Sequence, residues 1–242
     1  MTDALAPRFD GQRVVVTGVG RAGQVGESVA REFALRGAAV AIIDMNGALA
    51  EERALALRAE GLDVTAFGGD LNDAAAVTEL FQRIATPYDG KIHALANLAG
   101  GFGASGPLGD SDPTVFQRQL AINLGSAYGA TRAAMPFLRA ARGSVVFMAS
   151  AAVLPGGSSA GISAYAAAKA GVLAIMHAVA MEEGVNGVRA NALAPTSIRT
   201  AANTDAMGDG VKYVEREAVA TMIAFLCSPA AVNITGQVIA LA

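Results

Sequence analysis

The 242-residue chain has one cysteine, two histidines and no tryptophan, and charged residues make up only 16% of it. Each shortage removes a class of chemistry. A single thiol builds no intrachain disulfide framework, and one cysteine with two histidines leaves a protein zinc site short of its usual ligands, so no metal is expected. Cys227 ends the apolar run Met222-Ile-Ala-Phe-Leu-Cys and reads as a small buried hydrophobe rather than a nucleophile. His93 opens an apolar strand and His177 lies in an apolar helix, where packing or a local hydrogen bond is the ordinary role. A net charge of −3 and a pI near 5.4 give no electrostatic footprint for nucleic acid. The longest strongly apolar stretch, 170–181, falls well short of the roughly 20 residues that cross a bilayer, so no membrane partner is expected. Residues 1–8 lack a basic segment followed by an apolar run, so no secretory signal is expected and the expected location is cytoplasmic.

Apolar residues and glycine are plentiful instead. Hydrophobic residues reach 53%, mean hydropathy is +0.41, and there are 28 glycines. So little charge leaves apolar surface to be hidden, which predicts association into a homodimer or homotetramer. The expected contacts are an Ala-rich helix from Tyr165 to Met181 and the preceding helix with Ala127, Ala130, Ala134 and Phe137 at near-helical spacing.

Strand and helix patterns alternate along the chain. Residues 14–17 read as a buried strand, followed by glycines and a helix with Val25, Val29 and Phe33 on one face. Gly37 ends that helix and 38–44 supplies a second strand, completing a β-α-β unit. Strands follow at 63–67, 92–97, 144–148, 188–193 and 237–241. Helices are expected over 48–60, 74–84, 113–140 with a break, around Tyr165, and over 214–227. Seven strands with intervening helices predict an α/β Rossmann fold, a seven-stranded parallel sheet with helices on both faces, as one domain spanning 1–242. Three irregular segments, 100–112, 153–163 and 196–210, each follow a strand and should gather at the carboxyl edge of the sheet, where ligands bind in such folds.

Gly18-Val-Gly20-Arg-Ala-Gly23 matches G-x-G-x-x-G between a strand and a helix, with Asp44 closing the next strand. Glycines let backbone approach a pyrophosphate, and a helix N-terminus adds amide donors and a favourable dipole. Asp44 suits the ribose of NAD and repels the 2′-phosphate of NADP, whereas Arg21 would attract that phosphate; NAD is the expected cofactor and NADP the alternative. Tyr165-Ala-Ala-Ala-Lys169 puts a phenol and an ammonium on one helix face, where the cation favours the phenolate, and Ser150 precedes them. A phenol of ordinary pKa near 10 needs such help to act as a base at neutral pH.

In these motifs, taken in order, nearly the whole chain resembles the short-chain dehydrogenase/reductase family. Asn97-Leu-Ala-Gly100 is similar to the family's N-N-A-G strand end, Asp70 in Gly69-Asp-Leu to its adenine-contacting acid, and Asn123 to its proton-relay asparagine. The resemblance implies that Tyr165 exchanges a proton with substrate, Ser150 donates a hydrogen bond to the substrate oxygen, Lys169 lowers the tyrosine pKa and holds the nicotinamide ribose, and Asn123 positions water behind Lys169. It implies cofactor contacts from Gly18, Gly20, Arg21, Gly23, Val25, Gly26, Asp44, Asp70, Leu71, Asn97, Ala99, Gly100, Tyr165, Lys169, Pro195, Ile198 and Thr200. The substrate implied is a small carbonyl compound or alcohol.

The chain also departs from the family. The glycine turn is two residues longer, Ser150 lies two residues further from Tyr165 so that the loop between them should bulge, Thr196 replaces a glycine, and the lid after Thr200 is short. Gly100-Gly-Phe-Gly-Ala-Ser-Gly and Pro195-Thr-Ser-Ile-Arg-Thr, with Asn203 and Met207, resemble the dihydropteridine reductase branch, which implies a conjugated or quinonoid substrate as one option. The rival from another class is a catalytically silent dinucleotide-binding sensor or scaffold, against which the intact Ser150, Tyr165 and Lys169 set counts.

Overall fold

Seven parallel strands form one sheet, in the order β3-β2-β1-β4-β5-β6-β9. They are β1 (Arg13–Thr17), β2 (Ala39–Asp44), β3 (Val64–Gly68), β4 (Ala94–Asn97), β5 (Ser144–Met148), β6 (Arg189–Pro195) and β9 (Val238–Leu241). This computed structural model describes residues 7–242, so most of the N-terminal stretch read for a secretory signal lies outside the described residues.

Strand alternation divides the core. Val14, Val16, Val40 and Ile42 point to one face, where Val29 and Phe33 of α1 (Val25–Leu35), Leu57 of α2 (Gly47–Ala59) and Ile223 of α8 (Arg216–Cys227) cover them. Val15, Leu95, Val145 and Phe147 point to the other, against Phe81 of α3 (Ala74–Ala85), Leu138 of α5 (Ser126–Ala141) and Met176 of α6 (Ser163–Glu183). Both faces are dry, which is why the strands read as continuous apolar runs. Asn46 and Asp73 cap α2 and α3 by accepting from two amides each. The start of α1 has no side-chain cap.

One expected feature takes a definite form, and two regions differ from the sequence reading. The break within 113–140 is a turn of π-helix, Leu120–Gly125, between α4 (Pro113–Gln119) and α5, and it turns Asn123 inward. The segment 196–210 is not irregular. Ser197–Ile198 (β7) pairs in parallel with Tyr213–Val214 (β8) around α7 (Ala201–Met207), so Val214 belongs to a strand and the next helix starts at Arg216. The Tyr213 hydroxyl donates to Gly208 O at 2.7 Å, and the Arg199 guanidinium lies 4.7 Å above the Tyr213 ring while donating to Glu215 at 2.7 Å. Such non-local pairing leaves no periodicity to read. Finally, Ala127, Ala130 and Ala134 are buried in this chain's own core, with Phe137 packed against it, so they are not an intersubunit stripe.

The isolated residues behave simply. His93 Nδ1 accepts the Arg13 amide at 3.1 Å, and burial holds its imidazole below the usual histidine range. Cys227 is buried, and burial pushes its thiol up to about 11, which suits an inert side chain. His177 is on the exposed side of α6. With its terminal turn, α6 spans Ser163–Asn186 at mean hydropathy 1.5, long and apolar enough by composition to cross a membrane, unlike the shorter run 170–181; in this fold Ala168, Val172 and Met176 pack it into the core.

Candidate active site

The reversal of strand order lies between β1 and β4, and the segments after β1, β4, β5 and β6 converge at their carboxyl ends. Thr17 ties the two central strands together there. Its Oγ1 accepts the amides of Leu98 and Ala99, each at 3.0 Å. The Gly18 amide donates to Ile43 O at 2.8 Å, with φ +76°, and a β-carbon on Gly18 would stand 2.8 Å from the Ala99 backbone. Only glycine meets both demands. A β-carbon on Gly26 would be 2.5 Å from Gly18 O, so the first turn of α1 rests directly on the chain leaving β1.

The longer glycine turn is resolved by Glu27. Its carboxylate accepts the Gly23 amide at 2.6 Å, reaching back past Gln24, the residue before the helix, into the turn itself. Arg31 donates to the same carboxylate at 3.0 Å. Gly23 is thereby spent on the turn itself, while Arg21 stays exposed and Val25 heads the uncapped helix. The Arg216 guanidinium approaches from α8, 3.4 Å from where a Gly23 β-carbon would be. Neither Glu27 nor Arg216 was named from the sequence; Glu27 was findable from its place in the first turn of α1, Arg216 was not.

Asp44 ends β2 half-buried, and its Oδ1 accepts the Asn46 amide at 2.9 Å. Gly20 faces it. At the end of β3, Asp70 is exposed and accepts from Asn72 N and Nδ2 at 2.9 and 3.1 Å, while Leu71 is buried beside it. Asn97 is buried; its Nδ2 donates to Thr131 at 2.8 Å, but its Oδ1 has no partner among the described residues. The uncapped helix start, the side-chain-free cradle at Gly18, Gly20 and Gly26, and this orphaned buried oxygen at the strand end fit a dinucleotide laid across the switch point.

Ser150, Tyr165 and Lys169 come together beyond β5. Ser150 leaves the strand with its hydroxyl accepting the Ala152 amide at 3.3 Å, and it stands close enough to the Tyr165 phenol to favour the phenolate. Lys169 is buried one helical turn along; its Nζ donates to Met148 O at 2.9 Å and lies 5.6 Å from the centre of the Tyr165 ring. Burial pushes the Lys169 ammonium down to about 8. The phenol behaves differently from the expectation that Lys169 lowers it. Burial raises the Tyr165 pKa and only the Ser150 hydroxyl opposes this, because the ammonium is directed at the Met148 carbonyl rather than at the phenol oxygen. Tyr165 therefore holds its proton at neutral pH.

Asn123 is buried in the π turn. Its Oδ1 accepts the Gly101 amide at 3.1 Å, and its Nδ2 donates to Gly101 O at 3.0 Å and Gln119 Oε1 at 2.9 Å. It fastens the loop after β4, and Gly100, at φ +151°, passes where any β-carbon would collide with its amide oxygen. Contact between Asn123 and Lys169 is not among its bonds. Gln119, buried beside it, carried no sequence signal. Between Ser150 and Tyr165 the chain makes a 3-10 turn at Ala151–Val153 and then a loop whose Gly161 carbonyl accepts the amides of Ser105 and Gly106 at 2.9 and 3.0 Å. Pro195 is buried at the end of β6, Ile198 is half-buried in β7, and Thr200 caps α7 by accepting Asn203 N at 3.2 Å. Among the described residues no three His, Cys, Asp or Glu side chains cluster as metal ligands.

A family model described as enoyl-(acyl carrier protein) reductase matches residues 18–241. The chain is 35% identical to the (5R,7aS)-5-hydroxy-7a-methyl-1-oxo-2,3,5,6,7,7a-hexahydro-1H-indene-carboxyl-CoA reductase of Mycobacterium tuberculosis, covering 96% of this chain and 92% of that protein. It is also 35% identical to galactitol 2-dehydrogenase of Rhizobium johnstonii, over 96% and 94% respectively. Among solved structures, a short chain dehydrogenase from Mycobacterium smegmatis superposes with a TM-score of 0.84 at 32% identity, covering 97% of this chain and 92% of that one.

Proposed function

Because the chain belongs to the short-chain dehydrogenase/reductase family, we propose that it is an NAD-preferring enzyme that interconverts an alcohol and a ketone, with Tyr165 as the proton-exchanging group. The observation that carries this reading is the cluster of buried Ser150 and Lys169 around the half-buried Tyr165 at the carboxyl edge of the sheet. A nicotinamide held there would supply the hydride to the carbonyl carbon in reduction and take it from the alcohol carbon in oxidation. Tyr165, protonated at neutral pH, gives its proton to the substrate oxygen during reduction, and Ser150 donates a hydrogen bond to the same oxygen. Lys169 holds the ribose and places positive charge under the phenol. Gly18 and Gly26 bring backbone and helix N-terminus to the pyrophosphate, and Gly23 shapes the turn through Glu27. Pro195, Ile198 and Thr200 border the nicotinamide, and Asp70 with Leu71 borders the adenine.

Asp44 supports the preference for NAD. Its carboxylate is held by Asn46 at the end of β2, where a ribose hydroxyl would be recognised and a 2′-phosphate repelled, whereas Arg21 is exposed. We further propose a cytoplasmic homotetramer or homodimer. An apolar groove of about 460 Å³ lined by Leu120, Ala121, Leu124, Tyr128, Gly171 and Ile175 supports the assembly, as surface of this kind is commonly covered. The test is turnover of NADH and NADPH with a panel of ring ketones, polyols and quinonoid dihydropterins. Tight dinucleotide binding with no turnover on the whole panel would favour the silent sensor instead.

A further inference from the structure

Phe102 is 68% exposed, yet the loop that carries it is fastened on both sides. Asn123 grips Gly101 through two hydrogen bonds, and Ser105 and Gly106 are pinned to Gly161, with the Ser105 and Ser163 hydroxyls 3.3 Å apart. A loop held this way presents its aromatic ring at a set place rather than letting it wander. That place is beside Tyr165. The two ring centres are 5.3 Å apart at an interplanar angle of 68°, an edge-to-face contact that leaves most of the Phe102 ring uncovered. Leaving a phenyl group in water forgoes the free energy of burying it, and among the described residues nothing covers most of the ring.

Any substrate whose oxygen reaches Tyr165 and Ser150 brings its adjoining carbons next to this ring. A cyclic skeleton would cover the phenyl and be covered by it. An acyclic polyol would turn hydroxyl groups toward a surface that offers them no hydrogen-bond partner. We propose that Phe102 is a specificity-determining residue that covers the carbon skeleton of the substrate beside the reacting oxygen, selecting cyclic apolar ketones and their alcohols over acyclic polyols. This rests on the function proposed above, and it separates two chemistries found among the relatives: an oxo-hexahydroindene substrate in one name, galactitol in another.

The experiment measures kcat and KM of the full chain for 2-tetralone reduction and galactitol oxidation in the parent, Phe102→Ala and Phe102→Tyr, with dinucleotide binding followed separately by NADH fluorescence. Higher kcat/KM on 2-tetralone is expected for the parent. Phe102→Ala should lower that value by about 10–100-fold, largely through KM, and lower the galactitol value several-fold less, while Phe102→Tyr recovers most of the loss. NADH affinity should change by less than about threefold, since truncating the exposed ring leaves Asp44, Lys169 and the glycine turn in place. A parent that prefers galactitol, equal losses on both substrates, or no loss on 2-tetralone would each overturn the assignment of Phe102 alone. Absent turnover of every substrate in the parent, with NADH still bound, would overturn the proposed function and this inference with it.

Discussion

Gly20 and Asp44 are packed so closely that a β-carbon at position 20 would stand 2.7 Å from the carboxylate carbon. The second glycine of the motif thus serves the acid at the end of β2, keeping clear the space its carboxylate needs while Asn46 holds Oδ1. Gly20→Ala is expected to displace the carboxylate and weaken NAD binding by about 10-fold, the scale of one lost charge-assisted hydrogen bond. Asp44→Ser should relax discrimination against NADP by a similar factor. Fluorescence titration with both reduced dinucleotides checks this; tighter NADPH than NADH binding by the parent would hand the selection to Arg21.

Burial keeps Tyr165 protonated above its ordinary range. An acid with a raised pKa holds its proton to higher pH, so reduction should run well at neutral pH and decline only on the alkaline side, while oxidation, which needs the phenolate, should climb with pH across the neutral and alkaline range. Tyr165→Phe should cost about 10²–10⁴-fold in kcat with NADH binding largely kept. Lys169→Ala should impair both. Rate profiles in the two directions decide it, and near-parental turnover in Tyr165→Phe would falsify the tyrosine mechanism.

Lys169 is costly to the fold. Its pKa falls from 10.5 to about 8 on burial, so below about pH 8 the charged form is disfavoured in the folded state and the full penalty applies. Between 8 and 10.5 the unfolded chain binds more protons, and stability rises with pH as the penalty is relieved. Lys169→Met should therefore stabilise the protein at pH 7 by about 1–3 kcal/mol after the lost Met148 hydrogen bond is counted, with the gain vanishing near pH 10.5. Denaturant melts of both proteins at pH 7 and 10 measure the difference; a less stable variant at pH 7 would count against it.

The apolar groove beside Tyr128 carries the assembly prediction. Light scattering coupled to size exclusion should give two or four times 24.3 kDa, and Tyr128→Glu, at a side chain 56% exposed, should shift the mass toward one chain. A monomer at micromolar concentration would end the proposal and leave the chemistry untouched.

Local pattern made most of the architecture legible. The alternation of apolar strands and amphipathic helices, Gly37 at the end of α1 and the strand at 144–148 are all consequences of nearest-neighbour chemistry, and each stands where it was read. The same local logic brought Ser150, Tyr165 and Lys169 together, because strand ends of a parallel sheet meet at one edge. It misplaced Ala127, Ala130 and Ala134, since spacing reveals that a helix face is apolar without saying which neighbour covers it.

What the sequence by itself determined is the order of elements and the residues available at the sheet's carboxyl edge, for both follow from periodicity and turn chemistry within a few residues. Only the tertiary structure decided that Glu27 rather than a phosphate takes the Gly23 amide, that Asn123 fastens the Gly101 loop, that the Lys169 ammonium turns to the Met148 carbonyl, and that Phe102 stands against Tyr165. Those outcomes depend on which side chains meet across gaps in sequence, on the burial each suffers there, and on distances of a few ångströms that spacing along the chain does not encode.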